Sequence, residues 1–429
     1  MYNLSHIHID LDRVLRNLFC VYAFSLPFEL ALEILFDIDT IFKPFRIMSL
    51  IIIGVFVIRI FKIRLYLNPK DKTDLLLYAV FIYGILISFV RIIGGVFNFG
   101  LFYNDLFQFG LHIASFFIFK AIPYSQKQML KLFKWFFFGM LTNAGYIFTE
   151  FVIFGHHGRQ AGFTDNPNYG SLGLVAGIIF LMLQTNYIRR FWKQIVSILL
   201  ILFLTYIFII EGSRTGLVML IIANIFFFFF STFRKKVMVL IISGLIVLLI
   251  IPQNLDKVTV GGGPLILVAR VMYDIEHQEE DVRFVVWRGV FRTLEDVGYM
   301  GMGIGQFKAK FAKYYSEEPN ELILEMVNRG YFLSTHNDYL AILTDYGVPS
   351  LLFYISYLFF TLKKVTRRML YPEEDPESQM IHRLAFILFC CLIVFGIAAE
   401  NFQHPLFWFL LAFSTKNFIR KQSLMELNT

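Results

Sequence analysis

The residues of this chain with types and spacing suited to chemistry gather in four short polar segments wedged between long apolar runs. They are GHHGRQAGFTDNPNYGS from residue 155, EGSRTG from 211, RFVVWRGVF with GMGIGQF from 283 and 301, and STHNDYLAILTDYGVPS from 334. His336, followed by Asn337 and Asp338, precedes an apolar run, where an imidazole can serve as a general base near neutral pH or simply as an interface residue before a helix. Arg214 lies within a turn of the apolar boundary. It needs a partner there: Glu211 supplies one, and a phosphate gripped by the guanidinium fork supplies another. Arg159 sits among glycines ahead of Asn166, Pro167 and Asn168, a turn-rich stretch that either faces a ligand or is an ordinary solvent loop. Arg283 and Arg288 fall in the third segment, where cations are normally just solvated.

Two tempting chemistries are disfavoured. His156 and His157 are adjacent, so their side chains diverge, and no carboxylate follows at a ligand spacing; no metal site is expected. GMGIGQF does not satisfy GxGxxG and follows no strand, which argues against a nucleotide loop. Cys20, Cys390 and Cys391 offer neither a disulfide framework nor a CxxC site.

The elements that must position these segments are membrane helices. Of 429 residues 57% are hydrophobic and 17% charged, a balance that a bilayer requires and a water-soluble core does not. Apolar runs at 14–36, 44–61, 74–97, 101–119, 131–154, 169–186, 191–210, 215–232, 237–252, 339–361, 382–399 and 404–419 predict about 12 spans of roughly 20 residues each. The first is too long for a cleaved signal segment. Lys and Arg collect at alternate connections, near residues 59–72, 120–134, 189–193, 234–236, 363–368 and 416–421. The formal charge of +7 is therefore spread over loops rather than gathered on a nucleic-acid-binding face. By the positive-inside rule those connections and both termini are cytoplasmic, and the four polar segments converge on the outer face. The expected organisation is one integrated membrane unit. Residues 1–252 form spans one to nine, residues 253–338 a partly helical outer cap, and residues 339–429 the last three spans and a cytoplasmic tail. In the cap, Phe284, Trp287, Val290, Phe291 and Leu294 recur at helical spacing. The Phe226–Phe230 run reads as lipid-facing bulk.

The ordered set GRQAGFTDNPN, EGSRTG, RFVVWRGVF, GMGIGQF and THNDYLAILTDYGVPSLLF resembles the O-antigen ligase and polymerase superfamily of bacterial membrane glycosyltransferases, best over residues 201–360. The resemblance implies an all-α, polytopic, GT-C-like architecture in the inner membrane, with the large loop between spans nine and ten in the periplasm. It further implies transfer of a glycan from undecaprenyl diphosphate to an acceptor hydroxyl, inverting and without metal or other cofactor. His336 would be the general base, and Arg159, Arg214 and Arg283 would hold the diphosphate, with Asn166, Asn168, Glu211, Arg288 and Asn337 in support. Should His336 not be the base, the outer-end carboxylates Glu150, Glu211 and Glu400 come next. The expected partners are the lipid-linked oligosaccharide donor, the glycan acceptor, the bilayer, and polysaccharide-assembly proteins such as a chain-length regulator, with no nucleic acid. A polymerase acting on another lipid-linked repeat unit is the favoured reading, and a ligase transferring to lipid A core is the alternative. A flippase is less favoured, since the helix interiors are nearly bare of polar residues except His112 and Glu29.

Overall fold

The computed structural model describes residues 10–36, 43–63, 71–94, 97–155, 161–164, 166–188, 190–231, 282–315, 334–371, 375–400 and 402–418, and every regular element among them is a helix. In order these are α1 (Leu11–Ser25), α2 (Ala31–Phe36), α3 (Pro44–Ile63), α4 (Asp74–Ile93), α5 (Phe99–Ala121), α6 (Gln126–Phe148) with a π turn over Thr149–Ile153, α7 (Pro167–Thr185), α8 (Phe191–Glu211) and α9 (Arg214–Phe230). After residues 232–281 follow α10 (Val282–Val297), α11 (Gln306–Tyr315), the short α12 (Asp338–Ala341) with a π turn over Ile342–Tyr346, α13 (Gly347–Leu370), α14 (Pro376–Ala398) and α15 (Pro405–Thr415). The predicted ninth span and much of the cap fall outside the described residues.

Seven helical stretches among the described residues are long and apolar enough to cross a membrane, and α9 and α15 are shorter apolar helices. The chain is an all-α, multi-pass membrane protein. Its helices start where side chains can take up free amide groups. Asn98, Ser125, Asn166, Ser213, Asn337, Asp375 and His404 each accept a hydrogen bond from the first turn that follows. The centre of the bundle is α7, 83% of which is buried, against 28% for α3 and α4. Glycines let it sit there: a Cβ at Gly173 would lie 2.4 Å from Met140 Sδ of α6.

The first predicted span is two helices. Pro27 has no amide hydrogen to continue the helical bonding, so α1 ends at Ser25 and α2 starts again at Ala31. The last is an 11-residue helix buried along its whole length, about 17 Å long and unable to span hydrocarbon alone. In the cap helix the buried face is Val285, Val286, Val290 and Leu294, packed with Met302 and Phe307, whereas Phe284 and Phe291 point outward. The phenylalanine run is mixed: Phe229 is exposed, but Phe227 is buried, and Phe226 and Phe230 pack edge-on against Phe386.

Among the described residues, the Lys/Arg-rich connections around Lys120, Lys364 and Lys416 meet at one end of the bundle. Lys120 pairs with Asp74 at 3.1 Å, Lys364 pairs with Asp71, Lys416 Nζ donates to Lys120 O at 2.5 Å, and Arg368 donates to Lys416 O at 3.2 Å. The opposite end, approached by α1, α14 and the starts of α3, α7 and α15, holds the polar segments.

Candidate active site

His336 occupies a cavity of about 260 Å³ at that end. Its backbone is unusual, with φ +49°, the one non-glycine residue among the described residues in the left-handed region. That conformation costs on the order of 1 kcal/mol and persists only where neighbours enforce it. They do so here. Thr335 Oγ1 donates to Asn337 O at 2.8 Å, Asn337 Nδ2 donates to Ile397 O of α14 at 2.9 Å, and Trp287 Nε1 of α10 donates to Thr335 O at 3.1 Å. The imidazole is thus presented to the cavity from a loop clamped on both sides.

The rest of the wall comes from distant parts of the chain. Asn166 and Asn168 line it from the start of α7, where Asn166 caps the helix by accepting from Asn168 N at 2.9 Å. Asn168 Oδ1 in turn accepts from Ser213 Oγ at 3.0 Å, tying the EGSRTG turn to the cavity. Glu29 and Lys43 form an ion pair at 2.5 Å, and Glu29 Oε2 lies 3.2 Å from His404 Nε2. His404 Nδ1 accepts from Leu406 N at 3.3 Å, which fixes the proton on Nε2 and leaves this imidazole no free lone pair. Its ring stacks on Tyr169 at 3.6 Å, and the Tyr169 hydroxyl donates to Glu400 O at 2.6 Å. Of the two histidines lining the cavity, His404 is committed to the wall.

Lys43, Arg46, Tyr169, Gln403 and His404 were not among the residues expected from sequence. A signal existed for the cations, since Lys43 and Arg46 are isolated positive charges on a face otherwise poor in them. Glu400 also lines the cavity, and its buried Oε2 has no hydrogen-bond partner among the described residues. Glu211 does not line it: the carboxylate is fully buried behind α7, accepting from Ser171 Oγ at 2.7 Å. Gly170 makes the room, as a Cβ there would lie 2.3 Å from Glu211 Oε1. Arg214, half-buried, opens α9 next to Ser213 and is not in the cavity lining; the same holds for Arg283, half-buried on α10, and Arg288, exposed one turn later. Arg159 lies outside the described residues, and Glu150, in the π turn after α6, is also not in the lining.

The glycine segment GMGIGQF has its amides engaged by protein. Gly305 N and Phe307 N donate to the Asp345 carboxylate at 3.0 and 2.9 Å, and Met302 N and Gly303 N donate to Thr344 O and Asp345 O, each at 2.8 Å. The segment fastens the cap to the π turn before α13. Beside it Lys308 bonds Asp105 and Gln403, both at 3.1 Å, and Gln403 reaches back to Asp105 at 2.7 Å. Burial alone would lower the Lys308 pKa. The charges of Glu400 and Asp105 outweigh that and raise it, so Lys308 stays cationic and holds Gln403 against the cavity.

Residues 198–355 match the family model described as O-antigen ligase. Over that segment, a little under two fifths of the chain, the protein is similar to the O-antigen ligase and polymerase superfamily. No curated protein matches it. The matched segment carries Glu211, Arg214, Arg283, Arg288, His336 and Asn337, whereas Glu29, Lys43, Arg46, Asn166, Asn168, Tyr169, Glu400 and His404 lie outside it. The family covers both ligases and polymerases of O-antigen, enzymes of the glycosyltransferase kind.

Proposed function

We propose that this protein transfers a glycan from an undecaprenyl diphosphate carrier to the terminal sugar hydroxyl of another lipid-linked repeat unit, as a polymerase, at the periplasmic face of the inner membrane. The observation that carries the reading is the clamped His336 in a polar cavity inside a superfamily segment. In the reaction, His336 takes the proton of the acceptor hydroxyl as its oxygen attacks the anomeric carbon. The bond from that carbon to the phosphate oxygen breaks, and the lipid diphosphate leaves with the electron pair, inverting the centre. Lys43 and Arg46 are balanced in the lining by Glu29 and Glu400. A multiply charged diphosphate therefore needs further cations, and Arg214, Arg159 and Arg283 are the residues of the signature suited to supply them, with Arg288 and the amides of Asn166, Asn168 and Asn337 in support.

The test is transfer by the purified protein. With synthetic undecaprenyl-diphosphate repeat unit alone, a ladder of lengthening lipid-linked glycan is expected. Product only after addition of lipid A core would make the protein a ligase, and lipid flipping without either product would make it a transporter. Arg214→Lys, which keeps charge but loses the fork, should impair transfer, and Arg214→Ala should impair it more.

A further inference from the structure

The Lys/Arg-rich end of the bundle holds a second cavity, of about 310 Å³, far from His336 along α13, a helix of 24 residues and so about 36 Å long. Lys364, Arg367, Arg368 and Tyr371 line it from one face of α13, with His382 of α14 and Asn417 just past α15. These groups are chiefly hydrogen-bond donors, and no carboxylate among the described residues is in the lining.

The charge does not cancel. Burial would raise the pKa of Asp71, but its hydrogen bond to Lys364 and the charges of Lys120 and Lys364 outweigh that and lower it, so Asp71 is ionised and offsets Lys364. The two arginines have no hydrogen-bonded carboxylate among the described residues, although Asp71 and Asp74 act on Arg368 at longer range. Arg368 NH1 donates to the carbonyls of Thr415 and Lys416 at 3.4 and 3.2 Å, and Arg367 NH2 donates to the Tyr371 hydroxyl at 3.3 Å with its guanidinium 5.5 Å over that ring. Neutral acceptors hold both guanidinium groups in place without neutralising them, and neither makes an ion pair among the described residues. On the same face of α13, one turn toward the membrane interior from Lys364, Phe360 is 50% exposed. Guanidinium forks held by neutral acceptors above an exposed apolar strip match a phosphate carrying acyl chains.

We propose that this cavity binds the phosphate headgroup of an anionic phospholipid, with Arg367 and Arg368 on the phosphate and an acyl chain along Phe360. A free phosphate shares the headgroup's chemistry but not its affinity for the apolar strip. The site is separate from the transfer reaction and does not depend on it.

Native mass spectrometry and thermal unfolding of the full chain in detergent test this, with phosphatidylglycerol, phosphatidylcholine or inorganic phosphate added separately. The parent should retain phosphatidylglycerol in preference to phosphatidylcholine and be protected by it against unfolding. Arg367→Gln removes an exposed side chain that ties no helices together, so it should fold as the parent does yet bind phosphatidylglycerol about tenfold more weakly, the loss of a charge-assisted contact. Arg368→Gln should weaken binding at least as much, but it also loosens the end of α15, so its unfolding without lipid must be measured alongside. Equal retention of the two lipids by the parent, or undiminished phosphatidylglycerol binding by Arg367→Gln, overturns the proposal. Protection by inorganic phosphate as strong as by phosphatidylglycerol overturns the lipid as occupant.

Discussion

The segment that carries the superfamily pattern and the helices around it build the same cavity by different means. Within residues 198–355, His336 is set by a left-handed residue between Thr335 and Asn337, an Asn337 cap and an indole hydrogen bond from the cap helix, with one bond leaving the segment, from Asn337 Nδ2 to Ile397 O of α14. Outside it, the wall is assembled from residues far apart in sequence, such as Glu29 with His404 and Tyr169 with Glu400. Mostly neighbouring residues hold the His336 imidazole, and dispersed pairs shape the space before it. The first can be read as a pattern, the second only as a packing.

The sharpest break between the two concerns His336. Its replacement by alanine should lower turnover by about 10² to 10⁴, the usual contribution of a general base, and leave carrier binding unchanged. Single-turnover transfer with donor already bound measures it. Near-parent turnover would move the base to the surrounding wall, where Glu400, whose buried Oε2 has no hydrogen-bond partner among the described residues, is the next candidate.

Lys308 tests how firmly the segment is tied to its frame. Its partners Asp105 and Gln403 both lie outside the matched residues. Lys308→Met leaves the Asp105 carboxylate buried without its cation, a change worth about 3–5 kcal/mol where a buried pair is broken. A marked fall in the unfolding temperature in detergent is expected, with Lys308→Arg milder. Parent-like unfolding of Lys308→Met would mean that other ties, such as the glycine segment and Arg91 on Val297 O, hold cap and bundle without it.

How much of this was legible follows the same division. Apolar runs and alternating charge made the helices readable, because crossing a bilayer demands long uninterrupted apolar stretches. The break at Pro27 was written in the sequence by the proline itself. The burial of α15 was not, since 11 apolar residues look alike whether lipid or protein covers them. His336 stood out through its neighbours. His404 did not, because a hydrogen bond to Glu29 from residue 404 leaves no spacing to recognise. The glycine segment was visible as a motif, but its task, giving amides to Asp345, depends on a carboxylate about 40 residues later.

Gly170 probes the frame from the other side. Any Cβ there meets the buried Glu211 oxygen at 2.3 Å, and both residues are buried between α7 and α8. Gly170→Ala should destabilise by about 1–3 kcal/mol, as overpacking does, and Gly170→Ala with Glu211→Gln should not restore stability, since the glutamine keeps the same bulk. Full stability of Gly170→Ala would show that α7 and α8 can part without cost.

The smallest effect bears most directly on how the cap governs His336. Trp287 ties α10 to the His336 loop through its indole bond to Thr335 O. Trp287→Phe keeps an aromatic ring in the same place and removes only that bond, worth about 0.5–1.5 kcal/mol. Global unfolding should therefore shift little. If the bond helps hold the left-handed backbone at His336, turnover should fall several-fold with unchanged acceptor KM, and Trp287→Phe combined with His336→Ala should be no slower than His336→Ala alone. A residue that merely packs would lower stability and leave that kcat and KM pattern untouched. Additive losses in the double variant would show that Trp287 acts on the reaction by a route other than the placement of His336.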